Sequence, residues 1–316
     1  MKAMTQDRYG DIDVLQLRDL PEPVIGDNDV LVRVHAAGVD AGVWHYLTGL
    51  PLAGRLGLGL TRPKIRVRGA DLAGVVARVG ADVRTLHVGD EVFGQGDGSY
   101  AELARCRADR LVAKPAGVTF AEAAATPVSG YTALQAVRDE GQVAAGQRVL
   151  VFGAGGGVGH LAVQLAVARG ATVTGVARPA KTDLVRALGA DTDVTGAYDV
   201  IIDTAGNRPL PVLRALLTPA GTAVLVGGEG GGGRFLAGFE RQMTAMVTGR
   251  FGRQRLRPLL ALPRLDDFRT LAGLLADGTL RPAIDRTFPL AEAGEAIRYL
   301  HSGEARGKVV VTVTGA

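Results

Sequence analysis

The segment VLVFGAGGGVG, residues 149–159, constrains this chain more than any other stretch of it. A short run of strand-forming residues meets a cluster of glycines, and the apolar run VGHLAVQLAVARG follows as far as Gly170. A strand that ends in glycines and opens into a helix gathers backbone N–H groups and the positive end of the helix dipole at one point. Gly155, Gly156 and Gly157 carry no Cβ where a pyrophosphate would have to approach the backbone, and Gly159 permits close packing of helix on sheet. The pattern predicts a helix starting near Val158 with a dinucleotide site in front of it.

The next strand, ATVTGVA, should end at the adenosine ribose. A site built for a free 2′-hydroxyl would carry Asp or Glu there. This chain reads GVARPAKTD, with Arg178 and Lys181 in that place and the first acid only at Asp183. Two cations predict a 2′-phosphate, and so NADPH. An exposed helix start would use the same residues without a ligand. Strands and helices keep alternating through KTDLVRALG, YDVIIDTAG and GTAVLVGG. Continuous apolar strands such as Val149–Phe152 and Val200–Ile202 imply a parallel sheet covered on both faces, which is the doubly wound α/β pattern. The glycine run from Gly227 to Gly233 follows a strand end, where a mobile lid or a plain linker would sit. Asn207, after the strand end DTAGN, either faces the cofactor groove or caps a helix starting near Pro209.

The flanks differ. Residues 1–120 read as short strands broken by turns, with DVLVRVHAAGV and GADLAGVVARVGADV as the clearest. Thr119 and Glu122 have the spacing of a capping box at the head of an Ala-rich helix. Near the C-terminus come an amphipathic helix in DDFRTLAGLLADG, an extended PAIDRTFPL, a helix in AEAGEAIRYLHSG and a last strand, GKVVVTV. That strand needs a sheet to join, and the N-terminal β-rich region is the natural host. Two domains follow: residues 1–120 with 256–316, and residues 121–255.

Composition excludes several classes. Cys106 is the only cysteine, so the chain can form neither an internal disulfide nor a cysteine metal cage, which suits the cytoplasm. No stretch is long and apolar enough for a membrane span, and no membrane partner is expected. The net charge of +4 is modest, and Arg250, Arg253, Arg255 and Arg257 lack interleaved aromatics, so they read as a solvated or interface surface rather than a nucleic-acid platform.

The ordered motifs AAGVDAGVWHYLTG, GADLAGVV, VGDEVFG, ATPVSGYTALQAV, GAGGGVG and ARGKVVVTV resemble the zinc-free quinone oxidoreductase branch of the medium-chain dehydrogenase/reductase superfamily. The resemblance implies a Rossmann domain plus a β-rich GroES-like catalytic domain. Zinc-using members carry Cys and His where this chain has Asp40, Gly69-Ala70-Asp71 and Ser129, so no metal site is expected. Cofactor contacts carried over from the family fall on Thr132, Gly155, Gly156, Gly157, Val158, Arg178, Lys181, Gly227, Gly228 and Lys308. Asp40 stands where many relatives have Asn, and the stretch between Ala190 and Tyr198 is short for the family.

Without zinc, the acceptors expected are those that take hydride readily, namely quinones and α,β-unsaturated ketones. Tyr46 is a candidate donor to the acceptor oxygen, and Asp40 could serve as an acid only in a strongly buried setting. Trp44 and Tyr131 are candidate substrate contacts, although aromatics in these places also serve as plain core. The resemblance further implies a homodimer, with TAMVTGRF (244–251) as the pairing strand. Alternatives are a non-catalytic NADPH-binding protein with an RNA or protein partner, and a ketone-tailoring reductase.

Overall fold

The computed structural model describes residues 1–227, 235, 239–249 and 252–313. Gly228 and the rest of the glycine run to Gly233 lie outside the described residues. The chain divides into two compact units: Met1–Val128 together with the segment from Pro263 onward, and Ser129–Leu262.

The first unit opens with β1 (Lys2–Thr5), β2 (Gln16–Asp19), β3 (Asp29–Val39), α1 (Gly42–Thr48) and α2 (Arg55–Leu58). It continues through β4 (Asp71–Val79), β5 (Glu91–Gln95), β6 (Leu103–Arg107), β7 (Leu111–Ala113) and α3 (Phe120–Ala124). The Thr119–Glu122 capping box forms as expected and fixes the start of α3. This helix packs on β3 and β4, which draws the unit boundary past it.

In the second unit, α4 (Pro127–Gln135) leads to β8 (Arg148–Phe152), α5 (Gly159–Ala168), β9 (Thr172–Val176), α6 (Thr182–Ala187) and β10 (Tyr198–Asp203). Then come α7 (Leu210–Leu216), β11 (Leu217–Leu225), α8 (Phe239–Thr248) and β12 (Arg255–Pro258). The chain returns to the first unit with α9 (Leu265–Ala276), β13 (Ile284–Pro289), α10 (Ala293–His301) and β14 (Lys308–Thr312).

The last strand does find its host. β14 pairs antiparallel with β3, Val311 opposite Ala37, in a sheet ordered β13-β14-β3-β4-β5-β7 with β6 also on β3. Central β3 buries Val30, Val32, Val34 and Val39 against Leu47, Leu72, Tyr100, Val309 and Val311. Each such aliphatic side chain contributes about 1.5–3 kcal/mol on burial. The amphipathic α10 turns Ala293, Ala296 and Ile297 into the same core.

The second unit's strands run parallel in the order β12-β11-β10-β8-β9. The chain enters at β8, moves out to β9, then crosses back to β10. The reversal sets a switch point between β8 and β10, and open sheets of this kind bind ligands at the carboxyl ends of the strands there.

One expectation fails. Thr244–Thr248, assigned to a pairing strand, lies in helix α8, while Arg250 and Phe251 lie outside the described residues. Four-residue spacing is the reason. The Thr244 and Thr248 hydroxyls donate to the carbonyls of Glu240 and Thr244, and Ala245 is the position that turns inward. The outer strand is β12, and its Arg255, Arg257 and Pro258 blunt the edge.

Helix α5 meets β8 so closely that a Cβ at Gly159 would lie 2.1 Å from the Gly153 carbonyl oxygen. Gly159→Ala should therefore destabilise the protein by about 1–3 kcal/mol. In α9 the exposed Gly273 has open space around its Cβ position, and Gly273→Ala should stabilise by about 0.5–1 kcal/mol. Urea denaturation of the two variants checks both signs.

Candidate functional site

In the second unit the glycine turn sits at the carboxyl end of β8. Gly153 adopts φ +76°, and the chain folds back so that the Gly156 N–H donates to its carbonyl at 2.9 Å. Val158 is the N-cap residue of α5, in agreement with the predicted start. The fully buried His160 donates from Nδ1 to the Gly156 carbonyl at 2.9 Å, tying the helix to the turn. The first N–H groups of a helix have no partner within it, so an anion in front of α5 would meet both these donors and the dipole.

The end of β9 closes on the same turn. A Cβ at Gly155 would lie 2.7 Å from Lys181 Cβ and 3.4 Å from Ala177 Cβ, so the Lys181 stem crosses the glycine. Lys181 is only 8% exposed, and Arg178, exposed, heads the short turn that carries it. The structure thus brings together Gly155, Gly156, Gly157, Val158, Arg178 and Lys181. Gly227 lies at the neighbouring end of β11, its Cβ position 3.1 Å from the Thr204 carbonyl. Gly228 is outside the described residues. Asn207 is exposed and makes no cap for α7, whose N-cap residue is Pro209. Tyr131 and Thr132 are buried on α4. Asp203, at the end of β10, is fully buried and paired with Arg241 of α8, a contact that the sequence does not announce.

In the first unit the functional candidates surround the end of β3. The half-buried Asp40 accepts the Gly42 N–H at 2.8 Å, which anchors the start of α1. Along that helix Trp44 stacks one face on His301, with ring centroids 3.7 Å apart, leaving at most one face for a ligand. Tyr46 is half exposed. Its backbone carbonyl accepts a hydrogen bond from the buried Arg68, whose Nε has no partner among the described residues. Burial draws the Arg68 guanidinium down to about 10.

The acid held in a buried setting is Asp71 rather than Asp40. Asp71 opens β4 and is fully buried, and it accepts the Val128 N–H at 3.0 Å. Burial pushes its carboxyl up to about 8 and the charge of Asp40 adds to the push, while Lys308, the Val128 N–H and Gln95 oppose it. Sequence reasoning treated Asp71 only as a lost metal position. The signal was an acid at the head of an otherwise continuous apolar strand. Lys308, carried over as a cofactor contact, is buried on β14 with Asp71 as its electrostatic neighbour. A divalent ion does not fit this donor set, because Asp71 is occupied by hydrogen bonds and a cation already lies beside it. Among the described residues no group of three or more His, Cys, Asp or Glu side chains gathers as a metal site requires.

Asp71 holds its proton more tightly folded than unfolded. Its contribution to stability is fully present below the unfolded value near 3.8 and is lost as pH rises through about 8. Urea midpoints should fall between pH 5 and pH 9, and Asp71→Asn, which cannot ionise, should remove most of that fall. An equal fall in the variant would contradict the assignment.

Comparison with known proteins gives these features a family. Residues 26–135 match the model of the alcohol dehydrogenase GroES-like domain, and residues 176–311 that of the zinc-binding dehydrogenases. A 2-methylene-furan-3-one reductase of Solanum lycopersicum is 31% identical over 338 residues, covering 98% of this chain and 79% of the relative. An NADPH-dependent alkenal/one oxidoreductase of Arabidopsis thaliana chloroplasts is also 31% identical, with the same shares covered. The solved quinone oxidoreductase of Coxiella burnetii superposes with a TM-score of 0.84 at 29% identity, over 99% of both chains. This chain is an oxidoreductase that belongs to the medium-chain dehydrogenase/reductase superfamily, in its quinone oxidoreductase-like branch.

Proposed function

We propose that the chain is an NADPH-dependent reductase that delivers hydride to quinones or α,β-unsaturated ketones without zinc. The observation that carries this reading is the glycine turn before α5, flanked by Lys181 and Arg178 with no acid at the end of β9. The named relatives reduce conjugated carbonyl compounds or quinones, and the Arabidopsis one is NADPH-dependent by name. NADPH, when bound, supplies the hydride. Gly155, Gly156, Gly157 and Val158 would hold the pyrophosphate, with Arg178 and Lys181 at the 2′-phosphate and Thr132, Gly227 and Asn207 along the remaining wall.

Conjugated acceptors place developing negative charge on an oxygen, which needs a donor rather than a strong Lewis acid. Tyr46, with its half-exposed phenol, is our candidate, and Asp40 is the second. The remaining face of Trp44 is the candidate acceptor contact within the first unit. Asp71 lies too deep to touch an acceptor. Asp40 and Lys308 act on its carboxyl group in opposite directions, the first favouring its proton and the second its charge.

Three outcomes are expected. Oxidation of NADPH by a panel of quinones and enones should be measurable, and exhaustive chelation should leave the rate unchanged. Stoichiometric zinc by elemental analysis, or loss of activity on chelation, would overturn the zinc-free reading. Arg178→Ala should lower the NADPH/NADH ratio of kcat/KM by roughly 10- to 150-fold, the effect of one hydrogen bond to a charged group. An unchanged ratio would make Arg178 a solvated turn residue.

We also propose a homodimer in the cytoplasm. The exposed Met243, Met246 and Val247 of α8, the helix that packs on the outer strand β12, offer an apolar surface to a second copy. Light scattering at micromolar concentration should give twice the chain mass, and a monomeric mass would remove this element.

A further inference from the structure

Residues 41–70 contain no Asp or Glu, yet they carry Arg55, Arg62, Lys64, Arg66 and Arg68. The same stretch holds leucines out into solvent, with Leu56 78% and Leu60 66% exposed and Leu52 and Ile65 exposed beside them. These side chains stand on a firmly built platform. The Tyr9 hydroxyl donates to the Gly59 carbonyl at 2.7 Å, and the Lys64 N–H donates to the Leu58 carbonyl at 2.9 Å. The Arg55 guanidinium, stacked over the Tyr9 ring, donates to the carbonyls of Thr48 and Gly49. A Cβ at Gly59 would lie 2.1 Å from the Arg62 carbonyl, which shows how tightly the turn closes. Arg66 is paired with Asp7, so Arg62 and Lys64 are the cations that flank the leucines along the chain.

We propose that the 52–65 platform docks on an anionic lipid surface, inserting Leu56 and Leu60 with Arg62 and Lys64 at the headgroups. Apolar side chains at the tip of a rigid turn, bordered by cations and free of acids, match the interfacial zone of a bilayer in both polarity and charge. No membrane partner was expected from the sequence, but that expectation rested on the lack of a spanning segment, and peripheral docking needs none. The platform follows α1, which carries Trp44 and Tyr46, so docking would bring those side chains near apolar acceptors dissolved in lipid. Only this purpose rests on the reductase reading. Binding itself does not.

The test is flotation of the full-length protein, without cofactor, on vesicles of phosphatidylcholine alone and of phosphatidylcholine with roughly a third phosphatidylglycerol. The expected result is at least about tenfold greater partition onto the anionic vesicles at low salt, largely lost in about 0.5 M salt as headgroup attraction is screened. The double variant Leu56→Glu/Leu60→Glu should lose this partition while keeping the wild-type melting temperature and its rate with a water-soluble quinone. Equal binding to both vesicles, no binding to either, or full retention in the double variant would overturn the proposal. Self-association that depends on Leu56 and Leu60, seen by light scattering in place of vesicle binding, would assign the face to a second copy and overturn it as well. Failure of quinone reduction with intact vesicle binding would count against the reductase reading alone.

Discussion

The approach of α5 to β8 is the contact on which the rest of the second unit depends. With hydrogen in place of a Cβ at Gly159, the helix can rest against the Gly153 carbonyl, and its N-terminus then points past the end of the strand. Gly153 turns the chain at positive φ, and Gly155 leaves room for the Lys181 stem. An anion in front of α5 would therefore meet backbone, with Arg178 and Lys181 following at the end of the next strand. A Cβ at Gly159 would push helix from sheet, one at Gly155 would displace Lys181, and one at Gly153 would strike Thr204.

The first unit rests on a different constraint, an ionisable group with no water around it. Asp71 and Lys308 enter the core from adjoining parts of one sheet, β4 and β14 being the strands on either side of β3. Asp71 is tolerated there because burial favours its protonated form up to about pH 8, with Lys308 nearby and the Val128 N–H directed at its carboxyl group. Asp40 extends the negative charge toward the half-buried start of α1, and the buried Arg68 holds the Tyr46 carbonyl.

Much of this was legible in the sequence because it was written in local patterns. The glycine turn, the continuous apolar strands, the Thr119–Glu122 box and the terminal strand each carry a periodicity or spacing that the fold then obeys. What local patterns do not carry lies where distant residues decide. Lys308 and Asp71 are far apart in the chain, so nothing local marks Lys308 as a charge partner for a buried acid. Segment 244–251 has apolar residues at a spacing that serves strand or helix, and packing of Ala245 settles it as helix. Trp44 is stacked on one face by His301, from the other end of the chain, which no local pattern marks.

The central claim is that hydride passes from NADPH to carbon of a conjugated acceptor without a metal. The direct measurement is reduction of an α,β-unsaturated ketone with NADPH carrying deuterium at C4 of the nicotinamide, in ordinary water containing chelator. With the label on the transferred face, mass and NMR analysis of the product should find one deuterium at the β-carbon and solvent hydrogen at the α-carbon. Product without deuterium from either C4 face, or turnover that requires added zinc, would contradict the account.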